Sequence, residues 1–508
     1  MVLGAVPATL VVHHLLEEVT LERPFWEYFE MYRHEPYSFL LDSARRTELL
    51  GKFSFLGGDP ELVYEARRIR GAQPTDGAKI TVIKRRSETG VELQPPVVET
   101  RIADVFEDLA KVFDRYRIER ESLGDLPIPL IAGAVGYFAY ECNYFIERLP
   151  DRGADDLALP AVCMMFVDRL LAHEHRTGRN FVSTIGRGAN AAEAKAAAVR
   201  HRDEVMKRVA EVDNNPPKTW TGPAADAKKV DVAIRAHADQ AGYIRTVERA
   251  KEHIYEGNCF EVCVSHRLEA DFAGDPWDLY RELRRINPAP FACYLNLPEA
   301  KVVSSSPERF ISLSREGVVE SRPIKGTRPR GKTKEEDAAL KKDLLTHPKD
   351  RAENVMIVDL VRNDLGRVCE VDSVHVPELT VVEEYATVFQ LVSTVRGQLR
   401  DDRNAIDLIR SAFPGGSMTG APKIESMKII DELEPYKRGI WSGGIGYLDV
   451  TGAMDLNIVI RTLIVKEGRC YFSVGGAVVS DSDPLDEYTE TIDKSKALVR
   501  AIEGASQR

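Results

Sequence analysis

Lys325 stands in the run Pro323-Ile324-Lys325-Gly326-Thr327-Arg328-Pro329-Arg330-Gly331, with Arg322, Arg328 and Arg330 nearby in sequence. Neighbouring positive charge disfavours an ammonium, so this setting predicts a lowered pKa and an amine that acts as nucleophile or base near neutral pH. A basic surface loop with solvated charges is the alternative that the run alone leaves open. Upstream, Ser305-Ser306-Pro307-Glu308-Arg309-Phe310 places a carboxyl one strand–turn–strand before the lysine. A carboxyl there can serve as an acid or base, or can simply pair with Arg309 or another neighbour.

Further carboxylates fall on helical faces. A helix is expected from about Lys349 to Leu365, stopped by Gly366, with Glu353, Ile357, Leu360 and Asp364 on one stripe. A carboxylate heading a core-facing stripe needs a partner, whether a metal ion or an arginine. Asp483-Pro484 reads as cap and first turn of a last helix ending at Gly504. On it Glu487, Glu490 and Lys494 share a face, which by itself fits a solvated, salt-bridged surface. Before it, the stretch Val474–Ser482 reads as a glycine-bearing loop that lets backbone approach a ligand at Gly475, Gly476 and Ala477. Arg461 interrupts an apolar strand expected over Asp455–Val465, where it must meet an anion, structural or bound. Phe413 to Lys423 is a glycine-rich turn containing Thr419, leading into a helix at about Pro422.

The chain that positions these groups has 508 residues, 44% hydrophobic and 29% charged, with a net charge of −11. That is a globular composition with ample core, and its acidity argues against a general nucleic-acid binder. Seven scattered cysteines suggest neither a zinc site nor a disulfide framework, so buried reduced thiols are expected. The opening residues do not read as a signal peptide, and no apolar run reaches membrane-spanning length, which predicts a cytoplasmic protein. Strand signals at Ile80–Lys84 and Ala161–Val167 mix with helix signals at Ile102–Tyr116, Ala191–Val212 and Gln240–Glu256, without regular βα alternation. The polar, proline-rich stretch from Val212 divides the chain into an N-terminal region, 1–211, a linker, 212–234, and a region carrying most of the chemistry, 235–508.

Taken together, the blocks around Lys325, Glu308 (Ser-Pro-Glu-Arg-Phe), Glu353 (Ala-Glu-Asn-Val-Met-Ile-Val-Asp-Leu), Ser442–Tyr447 and Gly475–Lys494 resemble the chorismate-utilising enzymes. That superfamily includes anthranilate synthase component I, aminodeoxychorismate synthase component I, and the isochorismate and salicylate synthases. The resemblance runs from about residue 36 to 500. It implies an α+β fold of two large antiparallel sheets packed as a sandwich with outer helices. It also implies chorismate as substrate and Mg²⁺ as cofactor, held by Glu353 and Glu490 with Glu487 close by. Gly326, Thr327, Thr419, Tyr447, Arg461, Gly475, Gly476, Ala477 and Lys494 are implied to line the substrate, and Glu308 to act as general acid. Lysine in the third position of Pro-Ile-Lys-Gly-Thr resembles the aminodeoxychorismate synthases, whose lysine forms a covalent intermediate on the route to folate. Anthranilate synthases usually carry alanine there, and anthranilate formation is the alternative.

Two positions depart from related patterns. Glu261 occupies the place of the lysine that activates water in isochorismate and salicylate synthases, which disfavours water as nucleophile. Gln390 stands where many relatives have histidine, and an amide cannot shuttle a proton. No glutaminase-type cysteine elbow is evident, so ammonia is expected from solution or from a separate glutamine amidotransferase subunit. Leu41-Asp42-Ser43 and Asn287-Pro288-Ala289-Pro290 resemble the block that binds tryptophan in regulated relatives, making Ser43 and Pro290 a possible tryptophan pocket, without predicted feedback inhibition.

Overall fold

A computed structural model describes residues 10–45, 50–87, 92–118, 123–218, 220–222, 231–385 and 388–506. Two twelve-stranded sheets dominate it, and their strands pair antiparallel. Antiparallel neighbours need only short connections, as between Phe291–Asn296 and Lys301–Ser306. Each sheet draws strands from both halves of the sequence. Ser38–Asp42 pairs with Phe291–Asn296 in one sheet, and Gly133–Phe138 pairs with Gly444–Asp449 in the other. Thr219 and residues 223–230 of the expected linker lie outside the described residues.

Three apolar layers hold the sandwich together. Between the sheets lie Phe39, Phe55, Val63, Val135, Met165, Leu295 and Ile464. Outside the first sheet, Trp277, Tyr280 and Leu283 of helix Pro276–Ile286 pack with Leu498 and Ile502 of helix Pro484–Ser506. Outside the second, Ile357, Val361 and Leu365 of helix Pro348–Gly366 pack with Phe310, Phe413 and Ile458. Each large side chain so buried contributes on the order of 1.5–3 kcal/mol relative to exposure. The expected sandwich with outer helices is therefore the observed architecture. Among the described residues no helix is long and apolar enough to cross a membrane, and all seven cysteines are buried and unpaired.

Several local expectations need correction. The segment expected as helix from Ile102 is still strand through Ala103, with the helix at Val105–Asp114. Asp104 ends the strand by capping that helix, its carboxylate accepting from the Glu107 amide at 2.9 Å. The single strand expected over Asp455–Val465 is two strands, Met454–Asn457 in the second sheet and Thr462–Lys466 in the first. Between them Arg461 takes a left-handed φ of 52°, and the chain crosses from sheet to sheet there. The apolar alternation continues through the break because both sheets bury one face toward the same core. Finally, Gly475, Gly476 and Ala477 belong to the strand Arg469–Val478, opposite Ser265, Val264 and Cys263, and not to a loop.

Candidate active site

Lys325 lies in the edge strand Ile324–Pro329, whose register against Val388–Gln398 slips between Ile324 and Thr327. Gly326 forms the irregularity with φ of 81°, and a β-carbon there would lie 2.8 Å from Asp350 Cγ. This kink buries Lys325 while Thr327 stays exposed. The Lys325 ammonium donates to Glu261 Oε1 at 2.7 Å and lies 4.0 Å from Glu353 Oε2. Glu261 is fully buried, and its other oxygen, Oε2, has no hydrogen-bond partner.

The expected lowering of the Lys325 pKa is overturned. Burial lowers it, but the Glu261 and Glu353 carboxylates outweigh burial and hold it well above the usual lysine range. The three arginines that motivated the expectation are spent on acids of their own. Arg322 pairs with Glu378 and Glu383, Arg328 with Asp343 and Asp350, and Arg330 with Asp337. Sequence neighbours in a strand alternate faces, so nearness in sequence did not become nearness of charge.

Glu308 is buried beside a cavity of about 20 Å³ lined also by Ser417, Ile357 and Ile458, room for about one water. Burial raises its pKa to about 7, against the lowering effect of Lys325 and of hydrogen bonds from Ser417 and the Ile324 amide. A carboxyl that keeps its proton to neutral pH has the property a general acid needs. Arg309, the alternative partner, points away and forms a paired contact with Asp455 at 2.9 and 2.8 Å.

The helical carboxylates gather on the other side of Lys325. Glu353 has its pKa raised to about 7 by burial, partly opposed by Lys325. Glu487 is buried, accepts from Ser482 Oγ at 2.7 Å, and has its second oxygen without a partner. Burial and the nearby Glu490 raise its pKa. Lys349 bridges them, with Nζ 3.9 Å from Glu353 Oε1 and 3.6 Å from Glu487 Oε1. Glu490, half exposed at 52%, pairs with Lys494 at 2.6 Å. Among the described residues no three carboxylate, histidine or cysteine side chains converge as a metal site. The chemistry of the donors nevertheless fits a hard divalent cation: oxygen ligands, one of them a buried orphan, around a spot already occupied by a lysine charge.

Lys494 also donates to the Gly475 carbonyl at 2.7 Å, and its own carbonyl accepts from Arg461 Nη1 at 2.9 Å. Burial lowers the Arg461 pKa, and no carboxylate lies within ion-pair distance of it among the described residues. A half-buried guanidinium in that condition favours an incoming anion. A β-carbon on Gly476 would lie 2.8 Å from Glu487 Oε2, so glycine there leaves the carboxylate its place. Thr419 is fully buried, and its hydroxyl is spent on the Gly415 and Gly416 carbonyls, which shapes the glycine turn.

Tyr447 is not with this cluster. It lines an inter-sheet cavity of about 560 Å³ together with Ser43, Pro290, Arg309 and Asp455, to which none of the Lys325 cluster contributes. The expectation that Tyr447 lines the substrate pocket is corrected accordingly. Ser43 and Pro290 do meet there, the Ser43 hydroxyl donating to the Pro290 carbonyl at 3.2 Å. Sequence reasoning missed Lys349, although its i, i+4 spacing to Glu353 was visible. It also missed Ser417, whose only signal was its place in the glycine turn. Glu261 departs from the related patterns, and nothing in the linear sequence signals its contact with Lys325.

A family model described as chorismate binding enzyme matches residues 74–500. An aminodeoxychorismate synthase from Streptomyces griseus is 45% identical over 76% of this chain, which spans only 52% of that protein's length. An anthranilate synthase component 1 from Acetivibrio thermocellus is 35% identical over 99% of this chain and 96% of its own. The crystal structure of anthranilate synthase component I from Streptococcus pneumoniae superposes with a TM-score of 0.71 at 28% identity, covering 88% of this chain and 92% of that one.

Proposed function

The chain belongs to the chorismate-binding enzyme family, and on that premise we propose that it aminates chorismate at C4, making 4-amino-4-deoxychorismate through a covalent adduct on Lys325. The observation that carries the reading is the burial of Lys325 in direct contact with Glu261, close to Glu353. The greater identity to the aminodeoxychorismate synthase supports the same choice.

In this reading Lys325 Nζ attacks C2 of the ring while Glu308, still protonated near pH 7, hands its proton to the departing C4 hydroxyl. Ammonia then enters at C4 and expels the lysine. Arg461 and Lys494 hold the substrate carboxylates, with the Gly475–Ala477 backbone alongside. Gly326 lets the lysine strand kink inward, and Thr327 continues it. Glu353 and Glu490, with Glu487 beside them, would hold Mg²⁺, which when bound supplies a Lewis acid for a substrate carboxylate. A separate glutamine amidotransferase would supply the ammonia, as the word component in related names suggests.

Product analysis tests this. Purified protein with chorismate, Mg²⁺ and ammonium should give aminodeoxychorismate, and Lys325→Ala should not. The long alignment with an anthranilate synthase component favours one rival. Anthranilate from the wild type, made equally well by Lys325→Ala, would establish that rival and leave Lys325 a bystander.

A further inference from the structure

The geometry points to Glu261 as the catalytic base that takes the proton from Lys325 Nζ when the amine attacks and returns it when the amine is expelled. This rests on the covalent-lysine reading above and adds a residue to it. The Lys325 ammonium, which donates to Glu261 Oε1 at 2.7 Å, has its lone pair in an N–H bond. It becomes a nucleophile only when that proton leaves. Three carboxyls flank Lys325 or its target. Glu308 must keep its own proton for the leaving hydroxyl. Glu353 is farther, at 4.0 Å, and faces Lys349 as well. Glu261 alone is in hydrogen-bonding contact.

Its backbone is fixed on two sides. Glu261 opens the strand Glu261–Asp271, stands opposite Ala421 in the short strand Gly420–Ala421, and its carbonyl accepts from Ser426 Oγ at 3.0 Å. The carboxylate is therefore held in place rather than swung in from solvent. Its Oε2 has no donor in a fully buried site, so the contact of Oε1 with Lys325 Nζ is the one hydrogen bond its carboxylate makes among the described residues.

The step balances. Nζ gives a proton to Glu261 Oε1, its freed lone pair forms the bond to C2, both ring double bonds shift (C1=C2 to C6=C1 and C5=C6 to C4=C5), and the C4–O bond breaks. The hydroxyl leaves as water with the proton of Glu308. Ammonia then bonds to C4, both ring double bonds shift back to C5=C6 and C1=C2, the C2–N bond breaks with its pair returning to Nζ, and Glu261 reprotonates the neutral amine. The new C4 ammonium restores the proton of Glu308. Chorismate and ammonia become aminodeoxychorismate and water.

The test compares wild type, Lys325→Ala, Glu261→Gln and Glu261→Ala as full chains, with Mg²⁺, chorismate and saturating ammonium, each with and without formate. Loss of a positioned base should lower kcat in Glu261→Gln by about 10²-fold or more, while KM for chorismate stays within about threefold. Formate, a small exogenous carboxylate, should accelerate Glu261→Ala and leave Lys325→Ala unchanged. Rescue is a gain that a misfolded variant cannot show. A Glu261→Gln enzyme with near wild-type kcat, a loss confined to KM, or no formate rescue of Glu261→Ala would each overturn the role of Glu261 and leave Lys325 standing. A fully active Lys325→Ala would instead bring down the covalent reading itself.

Discussion

Glu308 shows how one buried carboxyl couples chemistry to stability. Its pKa of about 7 in the folded chain exceeds that of an unfolded glutamate, so between roughly pH 4.5 and 7 the folded state binds more protons than the unfolded one. Stability from this group is complete below that window and lost as pH rises through 7. His14, lowered to about 4 by burial, pulls the opposite way in the acid range. The clean measurement is therefore a difference. Glu308→Gln, which cannot ionise, should gain in Tm relative to wild type as the pH is raised from about 5 to 8 in metal-free buffer. A difference independent of pH would mean that Glu308 is ionised throughout. The same variant should lose about 10²- to 10⁴-fold in kcat, the usual share of a general acid.

At the scale of elements, two backbone features hold the site. The kink at Gly326 turns Lys325 inward, and its left-handed φ costs any other residue about 1–2 kcal/mol before side-chain contacts are considered. Gly326→Ala adds a clash with Asp350 and should lower both Tm and kcat, and a variant with unchanged Tm would show that the strand can relax. The second feature is the cap of helix Pro484–Ser506. Asp483 Oδ1 accepts from the Leu485 and Asp486 amides at 2.9 and 3.0 Å, about one turn before Glu487 and two before Glu490. Asp483→Ala should cost about 1 kcal/mol and let that turn fray. Titration of the metal-free protein with Mg²⁺, followed by calorimetry, should then show weaker binding than wild type. Equal affinity would dissociate the carboxylates from the cap.

For the molecule as a whole, the proposed amination makes the state of the chain's thiols bear on where ammonia would come from. A glutaminase of the cysteine type needs a thiolate, and reactive cysteines sit in exposed, electropositive surroundings. All seven cysteines here are buried. Burial raises the thiol pKa in each. The purified chain should accordingly turn over chorismate with ammonium and be inert with glutamine as sole nitrogen source. Glutamine-dependent product from homogeneous protein would refute this.

Much of the site was legible in the linear chain because its parts are local. Glu353 on the Pro348–Gly366 helix, the Asp483 cap and the glutamate pair behind it follow from helical spacing and capping chemistry, which need no tertiary information. The block resemblance carried the sandwich itself, which periodicity did not, since a strand's alternation says which face is buried and not which strand lies beside it. Contacts between distant segments stayed hidden. Glu261 and Lys325 are 64 positions apart and meet through separate sheets. Tyr447 left the expected pocket because its strand presents it to the inter-sheet core. The charge state of Lys325 reversed for the same reason. A pKa depends on which charges end up within a few ångströms, and that distance is set by the packing of sheets and helices rather than by order along the chain.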